Sequence, residues 1–298
     1  MRIVSTDVGI DDALALVFLH RSGGAAPDFV VATGGNVPRQ SVLNNCIYLR
    51  DLFDWDAEVF SGTDPAPPPV RDAAEVHGPH GLGDRRSPHA DAPPLSSLAE
   101  RLAQAESPFD LLVLGPATDA ATLLGEPKLA RRCRRVTLMG GAFEPRGERL
   151  GNVTPFAEFN VYMDPGAAWR VTGSGTACEF VPLDCTERRL FGTEELLAGV
   201  GSGPRAELVA NLVAYLREAH VRLGEGDGVF MHDVVAAALW AQLIRGEWRE
   251  AELRQIVRCG ERRGMMITND DGGRRIRYAH SFDEATFLTL WRQVVASL

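Results

Sequence analysis

After Met1 the chain begins with RIVSTDVGIDDALALVFLH, residues 2–20, a segment that by itself predicts the class of fold. Its first part, residues 2–6, is short and apolar, which predicts a buried strand that ends at Asp7. Gly9 then allows a tight turn, and the apolar run within residues 11–20 predicts a helix. Acidic residues therefore crowd the point where a strand ends and a helix begins. In open α/β sheets, ligands bind at this carboxyl edge of the strands.

The same alternation continues along the chain. Further short apolar runs predict strands at residues 28–33, 57–61, 110–114, 135–139 and 179–183. Amphipathic stretches predict helices at residues 41–53, 95–105, 118–124 and 165–172. After residue 185 the pattern predicts helices at 207–223, 232–243 and from 283 onward, with two strand-like runs between 254 and 279. We therefore expect an α/β fold, a Rossmann-like open and mostly parallel sheet with helices on both faces and a helical C-terminal part.

Length and composition indicate one large domain. The chain has 298 residues, of which 45% are hydrophobic, enough to build a sizeable core. No long polar or Gly/Ser-rich linker divides it, so residues 1–298 are predicted to form a single domain.

Charge and hydropathy exclude several classes of partner. The net charge of −9 would repel a phosphate backbone, which argues against a nucleic-acid-binding protein. The longest uncharged apolar runs, 13–19 and 234–241, are far shorter than the roughly 20 residues that cross a bilayer. The short apolar segment before Asp7 leaves no room for a signal peptide, so we expect a cytoplasmic protein. The five cysteines include no Cys-x-x-Cys pair, which argues against a zinc site.

One segment, residues 62–94, has an unusual composition. It holds eight of the 18 prolines and three of the seven histidines. Such long loops are often functional, and glycines at 78, 81 and 83 would allow this one to move around His77. We interpret residues 62–94 as a mobile loop over the site, with an irregular surface loop as the alternative.

The acidic cluster Asp7, Asp11 and Asp12 is the strongest chemical signal. Carboxylates held within about 4 Å repel one another by several kcal/mol at an effective dielectric constant near 20. A helix N-terminus offsets only about 0.3–1 kcal/mol per group. A bound cation would remove the conflict, and an oxygen-only ligand set favours Ca²⁺ or Mg²⁺. The alternative is that Asp11 caps the helix while the other two carboxylates are solvated.

Two further segments place polar residues where the surrounding pattern predicts none. Asn152, Glu158 and Asn160 lie close together in sequence, between and beside aromatic residues. Amides and a carboxylate in this arrangement suit hydrogen bonds to sugar hydroxyls. His232 and Asp233 head a very apolar helix, where Asp233 is a further candidate metal ligand and a structural role for His232 is the alternative.

Six segments together resemble the inosine-uridine-preferring nucleoside hydrolases, namely residues 7–13, 35–37, 115–118, 139–141, 152–160 and 232–233. They occur in the same order as in the family and span nearly the whole chain. The resemblance implies a Ca²⁺-dependent enzyme that hydrolyses the N-glycosidic bond of purine or pyrimidine ribonucleosides to the free base and ribose. It also implies a homodimer or homotetramer.

The resemblance assigns the metal ligands and the catalytic residues. It implies Ca²⁺ ligation by the carboxylates of Asp7, Asp12 and Asp233 and by the backbone carbonyl of Leu114. The ion would hold the attacking water and the ribose 2′- and 3′-hydroxyls. Asp7 would also take a proton from that water, and His232 would lie beside the nucleobase and assist its departure.

The resemblance assigns the substrate contacts as well. The ring hydroxyls would be bound by Asp11, Asn36 and Asn160, and the 5′-hydroxyl by Asn152 and Glu158. Met139 would line the ribose pocket, and His77 matches the histidine of the flexible loop.

The chain departs from the family pattern at three positions. Ser5 stands where members usually have Asp, Val8 where they have Pro, and His80 where they have Asp. A catalytically impaired nucleoside-binding or ribose-binding homologue is therefore the first alternative. A Mg²⁺-dependent phosphohydrolase is the second, although these segments carry no Lys or Arg at a motif position to bind phosphate.

Overall fold

The computed structural model describes residues 1–65, 73–144, 150–269 and 272–298. The strands within these residues are β1 (Arg2–Thr6), β2 (Phe29–Ala32), β3 (Glu58–Ser61), β4 (Phe109–Val113), β5 (Cys133–Met139), β6 (Ala177–Val181), β7 (Gly246–Ile256), β8 (Met266–Asn269) and β9 (Arg274–Phe282). The first helices are α1 (Ile10–Arg21), α2 (Arg39–Phe53), α3 (Ala74–His77), α4 (Leu95–Gln104), α5 (Thr118–Gly125), α6 (Pro127–Ala130), α7 (Phe159–Met163) and α8 (Pro165–Thr172). The later helices are α9 (Leu183–Thr186), α10 (Thr193–Leu196), α11 (Pro204–Leu223), α12 (His232–Trp240) and α13 (Glu284–Ala296).

The described strands form one sheet in the order β3-β2-β1-β4-β5-β6-β9-β7-β8. The pairs from β3 through β6 to β9 are parallel, and β7 pairs antiparallel with both β8 and β9. The chain runs from β1 outward to β3 and then returns to place β4 on the other side of β1. Strand order therefore reverses at β1, and a crevice at the carboxyl end of such a strand is the usual ligand site of open α/β sheets.

Alternate residues of the inner strands enter two hydrophobic cores. In β1, Val4 packs on the side of α1, α2 and α12, whereas Ile3 packs with Leu98 of α4 and Val171 of α8 on the other face. Both strand residues are fully buried. The double-sided burial explains why these strands are nearly continuous apolar runs in the sequence.

The predicted fold class is confirmed, and the predicted strand β1 and helix α8 have the observed bounds. The C-terminal part contains the predicted helices, but it also contributes three strands where the sequence suggested two runs. Strand β7 begins at Gly246, and most of its residues are exposed or half-buried. Because it is rich in Glu and Arg, it lacks the apolar run that predicts a strand from sequence. Among the described residues, no helix is long and apolar enough to cross a membrane.

The structure leaves the mobility of residues 62–94 untested. Residues 66–72 of that segment lie outside the described residues. The remainder includes α3, whose His77 is buried, and Leu82 is buried as well. The mobile loop therefore stays a prediction.

Candidate active site at the carboxyl edge of the sheet

Asp7, the residue that directly follows β1, lies completely buried at the centre of the crevice. The backbone N–H of Asn36 donates to Asp7 Oδ2 at 2.7 Å. A Cβ at Gly35 would lie 2.0 Å from Oδ2, and one at Gly115 would lie 2.6 Å from Oδ1, so both neighbours must be glycine. Asp7 Oδ1 is buried without a hydrogen-bond partner among the described residues. Among the described residues it is the only carboxylate oxygen that is both fully buried and without a hydrogen-bond partner, so it can accept a ligand.

Asp12 is fixed in the first turn of α1 by three donors. The Thr6 hydroxyl donates to Oδ1 at 2.5 Å. The backbone N–H of Gly9 and the side-chain amide of Asn36 donate to Oδ2 at 2.9 and 3.1 Å. Donors from β1, from the turn that follows it and from the segment after β2 thus orient the Asp12 carboxylate before any ligand binds.

Asp233 joins this group from the first turn of α12, which packs closely against α1. Oxygen atoms of Asp11, Asp12 and Asp233 all lie within 4.8 Å of one another, a spacing that can hold a metal ion. In addition to burial, the negative charge of Asp12 acts on Asp233 and raises its pKa. Asp7 belongs to the same electrostatic group, because Asp12 and Asp11 both act on its charge.

Burial and mutual repulsion make the charged form of these carboxylates costly. Loss of hydration, followed by the charge of Asp12, raises the pKa of Asp7 well above its usual range. Loss of hydration and the neighbouring carboxylates do the same to the pKa of Asp233. Burial also raises the pKa of Asp11 to about 6. A cation or protons must neutralise such a group, and oxygen-only ligands with a free Asp7 Oδ1 fit a hard divalent ion.

The next two strand ends supply Leu114 and Met139. The side-chain amide of Asn160 donates to the Leu114 carbonyl at 2.6 Å and to the Met139 carbonyl at 3.2 Å. Asn160 is therefore held by the ends of β4 and β5, and Leu114 and Met139 both line the cavity.

Glu158 begins helix α7 and is almost fully buried. Its Oε1 accepts from the N–H of Asn160 at 2.7 Å, and its Oε2 accepts from those of Val161 and Gly141 at 3.0 Å. Burial raises the pKa of Glu158 to about 7, and the backbone donors oppose that rise. Asn152 contributes to the same helix start, because its Oδ1 accepts from the N–H of Phe159 at 3.0 Å.

His77, at the end of α3, covers the start of α1. The N–H of Ile10 donates to His77 Nδ1 at 3.1 Å, which places the imidazole proton on Nε2. Burial lowers the pKa of His77 to about 4, so the ring is neutral. Its Nδ1 lies 3.8 Å from Asp11 Oδ1, and this contact is therefore not an ion pair at neutral pH.

A cavity of about 260 Å³ lies above the carboxylates. Its lining includes ten of the predicted site residues: Asp11, Asn36, His77, Leu114, Met139, Asn152, Glu158, Asn160, His232 and Asp233. Asp7 and Asp12 are not among its lining residues and lie buried beneath it. The structure thus brings predicted residues from seven separate parts of the sequence to one place.

The mouth of the cavity contains residues that sequence reasoning did not single out. His220 of α11 contacts the Gly228 carbonyl through Nδ1 at 3.1 Å, and its Nε2 lies 3.6 Å from Glu225. The Phe230 ring lies 5.5 Å from His220 and 5.7 Å from His232. Phe230 is two residues before His232, a proximity that could have identified it. His220 gave no such signal, since a histidine on an amphipathic helix is usually structural.

His232 itself lies between Phe230 and α9. Its Nδ1 is 2.7 Å from the hydroxyl of Thr186. Asp233 points into the carboxylate cluster while His232 lines the cavity, so the two adjacent side chains face different parts of the site.

The three departures from the family pattern lie outside the lining of this cavity. Ser5 is buried, and its hydroxyl lies 2.8 Å from that of Thr33. Val8 is fully buried in the core behind the turn. His80 accepts a hydrogen bond from Asn45 through its carbonyl, and it lines a separate surface depression. The substitutions therefore affect the support of the site and not its described surface.

The whole chain is similar to known nucleoside hydrolases. A profile of the family described as inosine-uridine preferring nucleoside hydrolase matches residues 2–289. The non-specific ribonucleoside hydrolase RihC of Salmonella agona is 33% identical over 255 residues, which cover 82% of this chain and 78% of the relative. RihC of Klebsiella pneumoniae subsp. pneumoniae is 31% identical over 248 residues, which cover 80% of this chain and 78% of the relative.

Solved structures show the same fold. The plant nucleoside hydrolase PpNRh1 superimposes with a TM-score of 0.88 at 22% identity, covering 99% of this chain and 98% of that one. The purine-preferring ribonucleoside hydrolase from Gardnerella vaginalis gives a TM-score of 0.84 at 22% identity, with the same coverage. The predicted hydrolase acting on N-glycosyl compounds is confirmed by the sequence matches. The chain belongs to the inosine-uridine preferring nucleoside hydrolase family.

Proposed function

We propose that this chain uses Ca²⁺ to hydrolyse the N-glycosidic bond of both purine and pyrimidine ribonucleosides, releasing the base and ribose. The observation that carries the proposal is the unpartnered, fully buried Oδ1 of Asp7 within a cluster of four carboxylates, beneath a cavity lined by amides. The relatives named non-specific ribonucleoside hydrolases support the broad choice of base.

The proposed metal ligands are the carboxylates of Asp7, Asp12 and Asp233 and the Leu114 carbonyl. Asp11 also lies within reach of the cluster, and we assign it to the ribose hydroxyls. When bound there, Ca²⁺ would lower the pKa of a water molecule and orient the ribose diol. The same ion would neutralise the carboxylates, which repel each other when no cation is bound.

The chain's own residues would perform the remaining steps. Asp7 accepts a proton from the attacking water through Oδ1, while the Asn36 N–H holds Oδ2 in place. Asn36 and Asn160 present amides to the ring hydroxyls from opposite sides of β1. Because the transition state carries positive charge on the ribose ring, an acidic floor stabilises it more than the neutral substrate.

The 5′-hydroxyl would lie near Asn152 and Glu158. Their oxygens are already held by backbone N–H groups, so they are preorganised acceptors for a hydroxyl donor. Met139 closes the apolar side of the ribose pocket. His232 and Phe230 would face the base, where an imidazole can donate to the departing anion.

The charge of the cavity argues against phosphorylated substrates. Its described lining includes the acids Asp11, Glu75, Glu158, Glu187, Glu225 and Asp233. The described lining contains no Lys or Arg, so a phosphate group would meet only like charge there. This favours neutral nucleosides over nucleotides and over the Mg²⁺-dependent phosphohydrolase alternative.

The direct test is ribose release, measured as reducing sugar, from inosine, uridine and cytidine with and without a chelator. We expect turnover of all three that is lost with the chelator and restored by Ca²⁺, and none with the corresponding monophosphates. Bound Ca²⁺ and ribose without base release over hours would instead identify the catalytically impaired homologue. We also propose a homodimer or homotetramer, which light scattering on the purified chain measures.

A further inference from the structure

Asp119 is a completely buried carboxylate close to the site that the mechanism above does not use. It lies in the first turn of α5, after the Gly115 segment that packs on Asp7. Its Oδ2 accepts from the hydroxyl of Thr33 at 2.6 Å. Thr63 donates its hydroxyl to Oδ1 at 2.6 Å and its N–H to both oxygens at 3.1 and 3.2 Å. Asp119 therefore ties together the residues that follow β2 and β3.

A line of hydroxyl groups connects Asp119 to β1. Ser5 Oγ lies 2.8 Å from Thr33 Oγ1. Because the Thr33 hydroxyl gives its only proton to Asp119, Ser5 must donate to Thr33. The direction of the line is fixed from Ser5 through Thr33 to the carboxylate.

The same residues hold the backbone that orients Asp7. The Thr33 N–H donates to the Thr6 carbonyl at 2.9 Å, and the Gly34 N–H donates to the Thr63 carbonyl at 2.9 Å. Two residues later, Asn36 donates its N–H to Asp7 and its side-chain amide to Asp12. Residues 33–36 thus connect Asp119 to the proposed site. Thr33 contacts Asp119 at one end, and Asn36 contacts the carboxylates of Asp7 and Asp12 at the other.

We propose that Asp119 is a positioning residue, which fixes residues 33–36 and thereby the direction of Asp7 and the placement of Asn36. From α5 it supplies the one carboxylate at the end of the hydroxyl line that starts at Ser5 of β1. This inference rests on the proposed function. It explains how the chain retains an oriented Asp7 despite its departure at Ser5.

The test exchanges the position of the carboxylate. Ribose release, KM and the thermal midpoint are measured for Asp119→Asn, Ser5→Asp and the double variant, well below their melting temperatures. Because small displacements at an active site reduce rates strongly, we expect Asp119→Asn to lower kcat by about tenfold or more, with a smaller change in KM. Ser5→Asp places a second carboxylate beside Thr33 and should lower kcat as well. The double variant, with one carboxylate again, should recover most of the lost kcat.

Asp110→Asn is the matched control. Asp110 is also a buried aspartate next to β1, but it lies at the opposite end of β4 and pairs with Arg134. This control should lower the thermal midpoint and leave kcat near the wild-type value. If Asp119→Asn does the same, Asp119 is merely structural and the proposal is wrong.

The remaining outcomes are also decisive. If the fold reductions in kcat of the two single variants simply multiply in the double variant, without recovery, Ser5 and Asp119 act independently and the proposal is wrong. If Asp119→Asn does not fold, Thr33→Val breaks the hydroxyl line without changing charge, and an unchanged kcat in that variant overturns the proposal. A wild-type chain that releases no ribose refutes the proposed function itself, a failure distinct from these.

Discussion

The floor and the mouth of the cavity are built from different parts of the fold. The floor residues Asp7, Asp12 and Asn36 lie at the ends of β1 and β2 or in the adjoining first turn of α1, and backbone or side-chain donors fix each of them. The mouth residues Glu225 and Phe230 lie in the connection between α11 and α12 and are only half-buried. In the proposed mechanism, the strand ends would carry the bond-breaking chemistry, whereas the helix connection would supply contacts to the base.

The largest effect is expected at the floor. Asp7→Asn removes the proposed general base while it keeps a side-chain oxygen, so kcat should fall by about 10²–10⁴-fold. Asn at this position also preserves the acceptor for the Asn36 N–H. Steady-state kinetics with inosine measure the loss, and an unchanged far-UV circular dichroism spectrum verifies the fold. Near-normal turnover would eliminate Asp7 as the base.

At the mouth we expect an effect that depends on the leaving group. His232→Ala should slow inosine and uridine hydrolysis by about 10²-fold, the lower range for general-acid assistance. The chromogenic substrate p-nitrophenyl riboside needs no proton on its leaving group and should be affected far less. Comparable losses on both substrates would mean that His232, with its 2.7 Å contact to Thr186, has only a structural role.

The floor was predictable from sequence because strand ends follow a simple rule. Asp7 could be placed because an apolar strand precedes it and a helix follows, and parallel strands bring their carboxyl ends to one edge. Asn152, Glu158 and Asn160 were recognisable as a polar group suited to sugar hydroxyls, and only the resemblance to a family assigned their individual roles. In the structure, Asn160 reaches the Leu114 carbonyl, a contact that no local pattern predicts.

The mouth was not predictable for a physical reason. His220 belongs to a 20-residue helix, and the sequence does not tell which side of that helix closes the cavity. Asp119 was missed because an aspartate in the first turn of a helix is ordinary. Only the three-dimensional contacts with Thr33 and Thr63 reveal its role.

The smallest expected effect is the pH dependence of stability in the metal-free protein. Burial raises the pKa of Glu158 from 4.5 to about 7 and that of Asp11 from 3.8 to about 6. Between about pH 4 and pH 7 the folded chain therefore binds more protons than the unfolded chain, and its free energy of unfolding falls as the pH rises. Differential scanning calorimetry should show a thermal midpoint at pH 8 at least about 2–4 °C below that at pH 5.

Two comparisons separate this effect from general charge repulsion. Glu158→Gln keeps the side-chain shape and removes the titrating group, so its midpoint should change less between the two pH values. Saturating Ca²⁺ should also reduce the change, since the ion replaces the protons on the floor. A midpoint that is constant or rises with pH in the metal-free wild type would contradict the described burial of these acids.

The buried carboxylates of the floor are proposed to bind one divalent cation. Isothermal titration of the metal-free protein with Ca²⁺ tests it most directly, with Asp12→Ala as the variant that removes a ligand and Asp110→Asn as the matched control. We expect one Ca²⁺ per chain for the wild type and for Asp110→Asn, and no binding for Asp12→Ala. A wild-type protein that binds no Ca²⁺, or stoichiometric binding that survives in Asp12→Ala, would show that the floor is not this metal site.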